Sequence, residues 1–245
     1  MRHRYLLIVA GGKGLRMGGD LPKQFIPLQG KPVLMHTLET FHRWDADARL
    51  VLVIPEDHQA YWQMLCKEIG CKAPHRVVYG GETRFHSVRN GLQFIAEELT
   101  RESLSAEQTW IGVHDGVRPF VSTEVIEACF QVAARQGAAI PVVPMIDSLR
   151  EKEGAESWPV DRSRFVAVQT PQVFAASLVL RAYQQPYSTL FTDDASVVEA
   201  MGEKVALVDG NRENIKLTTP LDLLVAKSLL AQSGDGVQPF ADGVI

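Results

Sequence analysis

Short apolar runs alternate with longer stretches of helical period along the chain. Tyr5–Ala10, Leu50–Ile54, Arg76–Tyr79, Trp110–His114, Ala138–Val143 and Val205–Val208 read as strands. Most are apolar at consecutive positions, the pattern of strands covered on both faces. Between them, Val33–Arg43, Gln59–Ile69, Arg84–Leu99, Glu124–Arg135, Ala175–Gln184, Asp194–Met201 and Leu221–Ala231 read as helices. In Arg84–Leu99, the residues Phe85, Val88, Leu92, Ile95 and Leu99 recur every three or four positions and form one helical face. Thr219-Pro220-Leu221-Asp222 supplies a cap, a proline at the first helical position and an acid in the first turn. The β-α-β-α alternation predicts an α/β fold: a Rossmann-like three-layer sandwich with a mostly parallel sheet and helices on both sides.

Two stretches leave the pattern. Ser148–Val168 holds the polar turn Glu151-Lys152-Glu153-Gly154-Ala155-Glu156 between segments that could pair, so it reads either as a hairpin arm or as a surface loop. Ser233–Ile245 carries Gly234, Gly236, Pro239 and Gly243 without any period, which predicts a flexible tail. Residues 1–232 are then one domain, with the excursion at about 145–168.

Composition narrows the classes. The 245 residues are 46% hydrophobic and 22% charged, an ordinary globular balance that argues against disordered, collagenous and disulfide-scaffold proteins. A net charge of −4 does not suit a nucleic-acid binder but leaves room for a local basic pocket. Cys66, Cys71 and Cys129 are odd in number and form no CxxC pair, so they read as packing residues in a reducing compartment. The apolar run after Arg2 and Arg4 is too short for a signal core or a membrane span, which predicts a soluble, cytoplasmic protein.

The candidate chemistry starts directly after the first strand, at Val9-Ala10-Gly11-Gly12-Lys13-Gly14-Leu15-Arg16-Met17-Gly18-Gly19. Open parallel sheets bind ligands beyond the carboxyl ends of their strands, and glycines let backbone N–H groups approach a phosphate. The loop lacks the Rossmann fingerprint, because Met17 stands where GxGxxG needs glycine, and no Gly-Lys-Ser/Thr triplet occurs anywhere. Lys23, in Leu21-Pro22-Lys23-Gln24-Phe25, brings a second cation close behind Arg16. A glycine-lined backbone with Arg and Lys beside it suits a triphosphate and can offset charge developing at phosphorus.

Further segments make the pattern specific. They are Gly80-Gly81-Glu82-Thr83-Arg84-Phe85-His86-Ser87-Val88, then Val113-His114-Asp115-Gly116-Val117-Arg118-Pro119, then Val160-Asp161-Arg162 with Gln169-Thr170-Pro171-Gln172. Phe191-Thr192-Asp193-Asp194-Ala195-Ser196 and Glu213-Asn214-Ile215-Lys216 complete the series. In this order, over roughly residues 5–230, the chain resembles the 2-C-methyl-D-erythritol 4-phosphate cytidylyltransferase family, which works in the non-mevalonate isoprenoid pathway.

The resemblance implies a fold of the nucleotide-diphospho-sugar transferase type and the transfer of CMP from CTP to a polyol phosphate, with release of pyrophosphate. It implies that Arg16 and Lys23 stabilise the transition state, and that Arg162 and Lys216 position the methylerythritol phosphate. Ala10, Gly11, Gly12, Gly14, Gly80, Gly81, Glu82, Ser87, Asp115 and Gly116 would meet the nucleotide. Arg118, Ser148, Arg162, Thr170, Thr192 and Lys216 would meet the second substrate. Asp115 is the carboxylate for Mg²⁺ or another divalent cation, since Mg²⁺ prefers one or two carboxylates plus substrate phosphates. The resemblance further implies that Ser148–Val168 is an arm clasping a second subunit, so that Arg118, Ser148 and Arg162 act across a homodimer interface. Read from the residues alone, Asp115 could be a turn cap, Thr83 is the helix cap before Arg84, and His114 is a packed structural histidine, because this chemistry needs no proton shuttle. The chain departs from relatives at Gly11-Gly12-Lys13, at Asp115-Gly116-Val117 in place of Asp-Ala-Ala, and at Ser148 in place of threonine. Ribitol-5-phosphate cytidylyltransferases share nearly all these motifs and form the alternative; a non-catalytic nucleotide sensor would be expected to lack Arg16 or Lys23.

Overall fold

The structure, a computed structural model, describes residues 3–11 and 21–234. In chain order the first half comprises β1 (His3–Val9), the short hairpin β2 (Pro27–Leu28) and β3 (Lys31–Pro32), α1 (Val33–Trp44), β4 (Arg49–Ile54), α2 (Gln59–Ile69), β5 (His75–Tyr79), α3 (Arg84–Arg101) and β6 (Thr109–Asp115). The second half comprises α4 (Thr123–Gln136), β7 (Ala138–Pro144), β8 (Leu149–Glu153), β9 (Glu156–Val160), β10 (Val166–Val168), β11 (Gln172–Ala175), α5 (Ala176–Ala182), α6 (Asp194–Glu199), β12 (Ala206–Asp209) and α7 (Pro220–Gly234).

The main sheet runs β10-β7-β11-β6-β1-β4-β5, with β12 beside β7. β1 pairs in parallel with β4 and β6, and β4 with β5. β11 runs antiparallel between β6 and β7. Strand alternation sends side chains to two cores. Leu6 and Ile8 of β1 join Leu34, Leu38 and Phe41 of α1 and Phe130 of α4. Tyr5 and Leu7 join Phe85, Val88, Leu92 and Ile95 of α3 on the other face. Helix α3 lies close on the sheet at Gly91, where a Cβ would stand 2.3 Å from Leu7 Cδ1.

The six expected strands and seven expected helices are all present. Two element ends differ from expectation, and the excursion takes one of its two expected forms. Ala175 belongs to β11, and α5 ends at Ala182. α7 continues to Gly234, into the segment expected to be tail; residues 235–245 lie outside the described residues. The excursion is a hairpin: β8 and β9 pair antiparallel from Leu149↔Val160 to Glu153↔Glu156.

The parallel strands end together. Ala10 and Gly11 after β1, Gly80 and Gly81 after β5, and Asp115 closing β6 therefore share one edge of the sheet, which concentrates the sequence motifs there.

Candidate active site

Two adjoining clefts open at this edge. The first, about 210 Å³, is lined by Val9, Ala10, Gly11, Lys23, Gln24, Gly81, Glu82, Thr83, Arg84, Ser87, Asp115, Val117 and Lys216. The second, about 290 Å³, is lined by Arg84, Asp115, Arg118, Val168, Gln169, Thr170, Gln172, Thr192, Asp193 and Lys216. Arg84, Asp115 and Lys216 face both. A larger hollow of about 620 Å³ opens where β4 and β5 begin, among Arg49, Glu98, Arg101 and Glu102. It lies at the amino ends of the strands, opposite the edge where such sheets take ligands, and its charges pair with one another.

Asp115 is the electrostatic centre. Its Oδ2 lies 3.0 Å from Lys216 Nζ and 3.2 Å from Arg118 Nε, and its Oδ1 lies 3.7 Å from Arg84 Nε. Burial by itself would raise the carboxyl's pKa, but Arg84, Lys216 and Arg118 outweigh it and hold Asp115 well below the ordinary carboxylate range. Arg84 is anchored by a second acid: Nη1 and Nη2 donate to Oδ1 and Oδ2 of Asp194 at 2.9 and 2.6 Å. The Asp194 side chain is fully buried and also accepts from Tyr183 Oη at 2.5 Å.

A second network fixes the backbone beneath these charges. Burial pushes the His114 imidazole down to about 4, so the ring is neutral at pH 7. Its Nε2 donates to the Arg118 carbonyl at 3.0 Å, which leaves Nδ1 as the acceptor for Thr170 Oγ1 at 3.0 Å. Thr170 Oγ1 in turn accepts the Asp115 N–H at 3.1 Å. Asn214, fully buried, donates to the Thr170 carbonyl at 2.9 Å, and its own carbonyl accepts from Arg118 Nη1 at 2.7 Å. The irregular segment that carries Lys216 is thereby tied to the end of β6.

The glycine motifs separate into two uses. Gly81 lines the first cleft, and a Cβ there would stand 2.5 Å from His86 Cβ. Ser87 Oγ accepts the Gly81 N–H at 3.0 Å and holds that loop against α3. Gly80 and Gly116, expected to meet nucleotide, line neither cleft. A Cβ on Gly116 would sit 2.8 Å from Ala10 Cβ, so this glycine permits close packing of the β6 end on the β1 end, while Gly80 donates to Ile54 O at 2.8 Å.

Other expected residues divide in the same way. Ala10, Gly11, Lys23, Glu82, Ser87, Asp115 and Lys216 line the first cleft; Arg118, Thr170, Thr192, Asp115 and Lys216 line the second. Arg118, expected to act across a subunit boundary, lines the second cleft of its own chain, where it pairs with Asp115 and donates to the Asn214 carbonyl. Thr170 reaches the cleft wall, but its hydroxyl already donates and accepts within the chain, so it organises the site. Ser148 and Arg162 line neither cleft; both are exposed at the arm, and Arg162 donates to the Ile146 carbonyl. Gly12, Gly14 and Arg16, with Lys13, lie outside the described residues. Thr83 caps α3 by accepting from His86 N, as its position predicts.

Arg84, Asp194 and Asn214 were not singled out from the sequence. Each lies inside a quoted motif, but the signal that marks Arg84 is its pairing with an acid 110 residues away, which only the fold supplies.

The profile of the IspD family, described as 2-C-methyl-D-erythritol 4-phosphate cytidylyltransferase, matches residues 5–232. The chain is 55% identical over 228 residues to the 2-C-methyl-D-erythritol 4-phosphate cytidylyltransferase of Porphyromonas gingivalis, covering 93% of this chain and 97% of that protein. It is 53% identical over 230 residues to the protein of that name from Phocaeicola vulgatus, covering 93% of this chain and all of the relative. Among solved structures, a crystal structure of 4-diphosphocytidyl-2C-methyl-D-erythritol synthase superposes with a TM-score of 0.76 at 32% identity, covering 94% of this chain and 99% of that one.

Proposed function

The chain belongs to the 2-C-methyl-D-erythritol 4-phosphate cytidylyltransferase family, and on that premise we propose that it transfers CMP from CTP to 2-C-methyl-D-erythritol 4-phosphate, giving 4-diphosphocytidyl-2-C-methyl-D-erythritol and pyrophosphate. The observation that carries the reading is a pair of clefts sharing Arg84, Asp115 and Lys216, because the reaction brings two phosphorylated substrates to one phosphorus.

A phosphate oxygen of the polyol attacks the α-phosphorus of CTP, and the bond to the pyrophosphate oxygen breaks. The nucleophile is already ionised, so the protein's work is positioning and charge stabilisation. In this reading the first cleft takes CTP, with the Ala10–Gly11 and Gly81–Glu82 backbone toward the nucleotide and Ser87 holding the Gly81 loop. The second cleft takes the polyol phosphate beside Arg118 and Thr192. Lys216 and Lys23 offset charge at the reacting phosphorus, with Arg16 assigned the same role on the sequence motif. Ser148 and Arg162 reach the second cleft of a partner subunit through the arm. Exposed Ile146, Trp158 and Phe165 on and around the arm support a homodimer, since apolar side chains grouped this way favour burial against a second surface.

Asp115 is the side chain that would hold a divalent cation, in competition with the three cations already beside it. The carboxylate is ionised, and its Oδ1 stands 3.7 Å from Arg84 Nε, beyond hydrogen-bond distance. Among the described residues no group of three or more His, Cys, Asp or Glu side chains could hold a metal. The phosphates of CTP would complete the coordination of such an ion, as suits Mg²⁺, and the ion would supply neutralisation of triphosphate charge. Free cysteines agree with a cytoplasmic location, and no helix among the described residues is long and apolar enough to cross a membrane.

Incubating the protein with CTP, Mg²⁺ and a panel of polyol phosphates tests the reading. Pyrophosphate release with methylerythritol phosphate well above that with ribitol 5-phosphate is expected. The reverse preference would overturn the substrate assignment, and no release with either would overturn the activity.

A further inference from the structure

The C-terminal end of α2 holds a pair of thiols away from the clefts. Gly70 closes the helix with φ +78°, and the N–H groups of Gly70 and Cys71 both donate to the Cys66 carbonyl at 3.0 Å. This is a left-handed helix closure, in which the side chain four residues before the glycine and the one directly after it commonly come together across the turn. Here those side chains are Cys66 and Cys71. Both are part-buried against the same core cluster and neither is fully enclosed.

His75, at the start of β5, completes the surroundings. The Trp62 indole N–H donates to His75 Nε2 at 2.9 Å, so the proton of the neutral ring sits on Nδ1. Nδ1 lies 2.8 Å from the Ala73 carbonyl, and Cys71 Sγ lies 3.8 Å from that same oxygen. A hydrogen bond from Cys66 is the largest influence on Cys71. Despite burial, it and the His75 ring lower the Cys71 thiol, while the same contact pushes Cys66 up. Cys129, on the buried face of α4, is pushed up to about 12 by burial and serves as an internal control.

We propose that Cys66 and Cys71 form a redox-active thiol pair, which a low-molecular-weight disulfide of the oxidised-glutathione class converts to an intramolecular disulfide with Cys71 as the attacking sulfur. The Cys71 thiolate attacks one glutathione sulfur; the glutathione S–S bond breaks, and one glutathione leaves as thiolate and takes a proton. Cys66 then loses its proton, attacks the Cys71 sulfur and expels the second glutathione. Two protein thiols are oxidised and one glutathione disulfide is reduced to two thiols. The pair sits on the helix whose Tyr61 and Trp62 pack against Phe25, two residues beyond Lys23.

The test is mass analysis of the whole chain after incubation with oxidised glutathione and acid quenching. The expected product has lost two hydrogens, contains a Cys66–Cys71 cross-linked peptide and keeps Cys129 reduced. In Cys66→Ser, a single glutathione remains on Cys71. Glutathione held stably on Cys66, or no adduct on Cys71 in Cys66→Ser, would overturn the proposal. A second measurement is alkylation at pH 6. There the larger thiolate fraction outweighs the lower nucleophilicity of a weakly basic sulfur, so Cys71 should react about tenfold faster in the native chain than in the urea-unfolded chain. An equal or slower native rate would refute the role of Cys71. Cys66→Ser leaves the clefts untouched, so turnover of the reduced protein stays at the wild-type level.

Discussion

Replacing Arg84 with methionine isolates the cost of the shared wall between the clefts. The substitution keeps most of the side-chain length but leaves Asp194, fully buried, with only the Tyr183 hydroxyl and the α6 backbone around it. Removing one partner of a buried ion pair costs about 3–5 kcal/mol, because the remaining charge has lost its water and its counter-charge. Two features place this site at the low end. The Arg84 side chain is 31% exposed, so water from the cleft can reach the vacated space, and the Tyr183 bond at 2.5 Å survives. A loss of about 3 kcal/mol is expected, which for a chain of this size lowers Tm by roughly 6–12 °C. Urea unfolding of wild type, Arg84→Met, Asp194→Asn and the double variant gives the coupling directly. The double variant should lose less than the sum of the single changes, by at least about 1 kcal/mol. Additivity within about 0.5 kcal/mol, or a single-variant loss under 1 kcal/mol, would refute the claim that this pair braces the site.

Other consequences follow from the same geometry. Lys216→Ala should lower kcat/KM for pyrophosphate release by about 10²–10³, the scale for losing one donor to a developing oxyanion, with the urea midpoint nearly unchanged; a loss under tenfold would remove Lys216 from the reacting centre. His114 is held neutral with its pKa near 4 against an ordinary 6.5, so the unfolded chain binds the extra proton between those values and stability falls as the pH drops through that window. Between pH 6.5 and 5 this amounts to about 1.5 kcal/mol, with the slope approaching about 1.4 kcal/mol per pH unit below the ordinary value, and His114→Gln should flatten the urea-midpoint profile there. For Asp115 the sign is the same but the window is lower: its contribution is complete above the ordinary value of 3.8 and is lost as the pH falls toward its depressed pKa, so Asp115→Asn and wild type should converge in stability only in strong acid. Ile146→Asp with Trp158→Asp should convert a dimer to a monomer in sedimentation velocity without unfolding it; an unchanged mass would refute the arm as the interface.

The sequence carried the sheet because continuous apolar runs such as Leu50–Ile54 have few other folds to adopt, and it carried the helices through periods such as Phe85 to Leu99. It did not reveal β11, whose four residues after Pro171 are too few to display a period, or the short strand β10. The ordered motifs led to the family, but they could not separate contact from support. Gly116 and Gly81 look alike in one dimension; one permits packing on Ala10 and the other lines a cleft. Thr170 looked like a substrate ligand because its hydroxyl's partners, His114 and the Asp115 N–H, come from a strand more than fifty residues earlier. Arg84 reads locally as the first residue of a helix, and nothing nearby in the chain announces Asp194.

The arrangement around Asp115 sets the terms on which any phosphate enters. The carboxylate is a built-in counter-ion that keeps Lys216, Arg118 and Arg84 from repelling one another. An arriving phosphate must then share those cations with an incumbent carboxylate and not merely join bare charges. Weakly charged solutes gain little from that exchange, whereas a polyphosphate or a dianion gains more than it disrupts. Discrimination by ligand charge is thus built into a single side chain before any base or polyol is read.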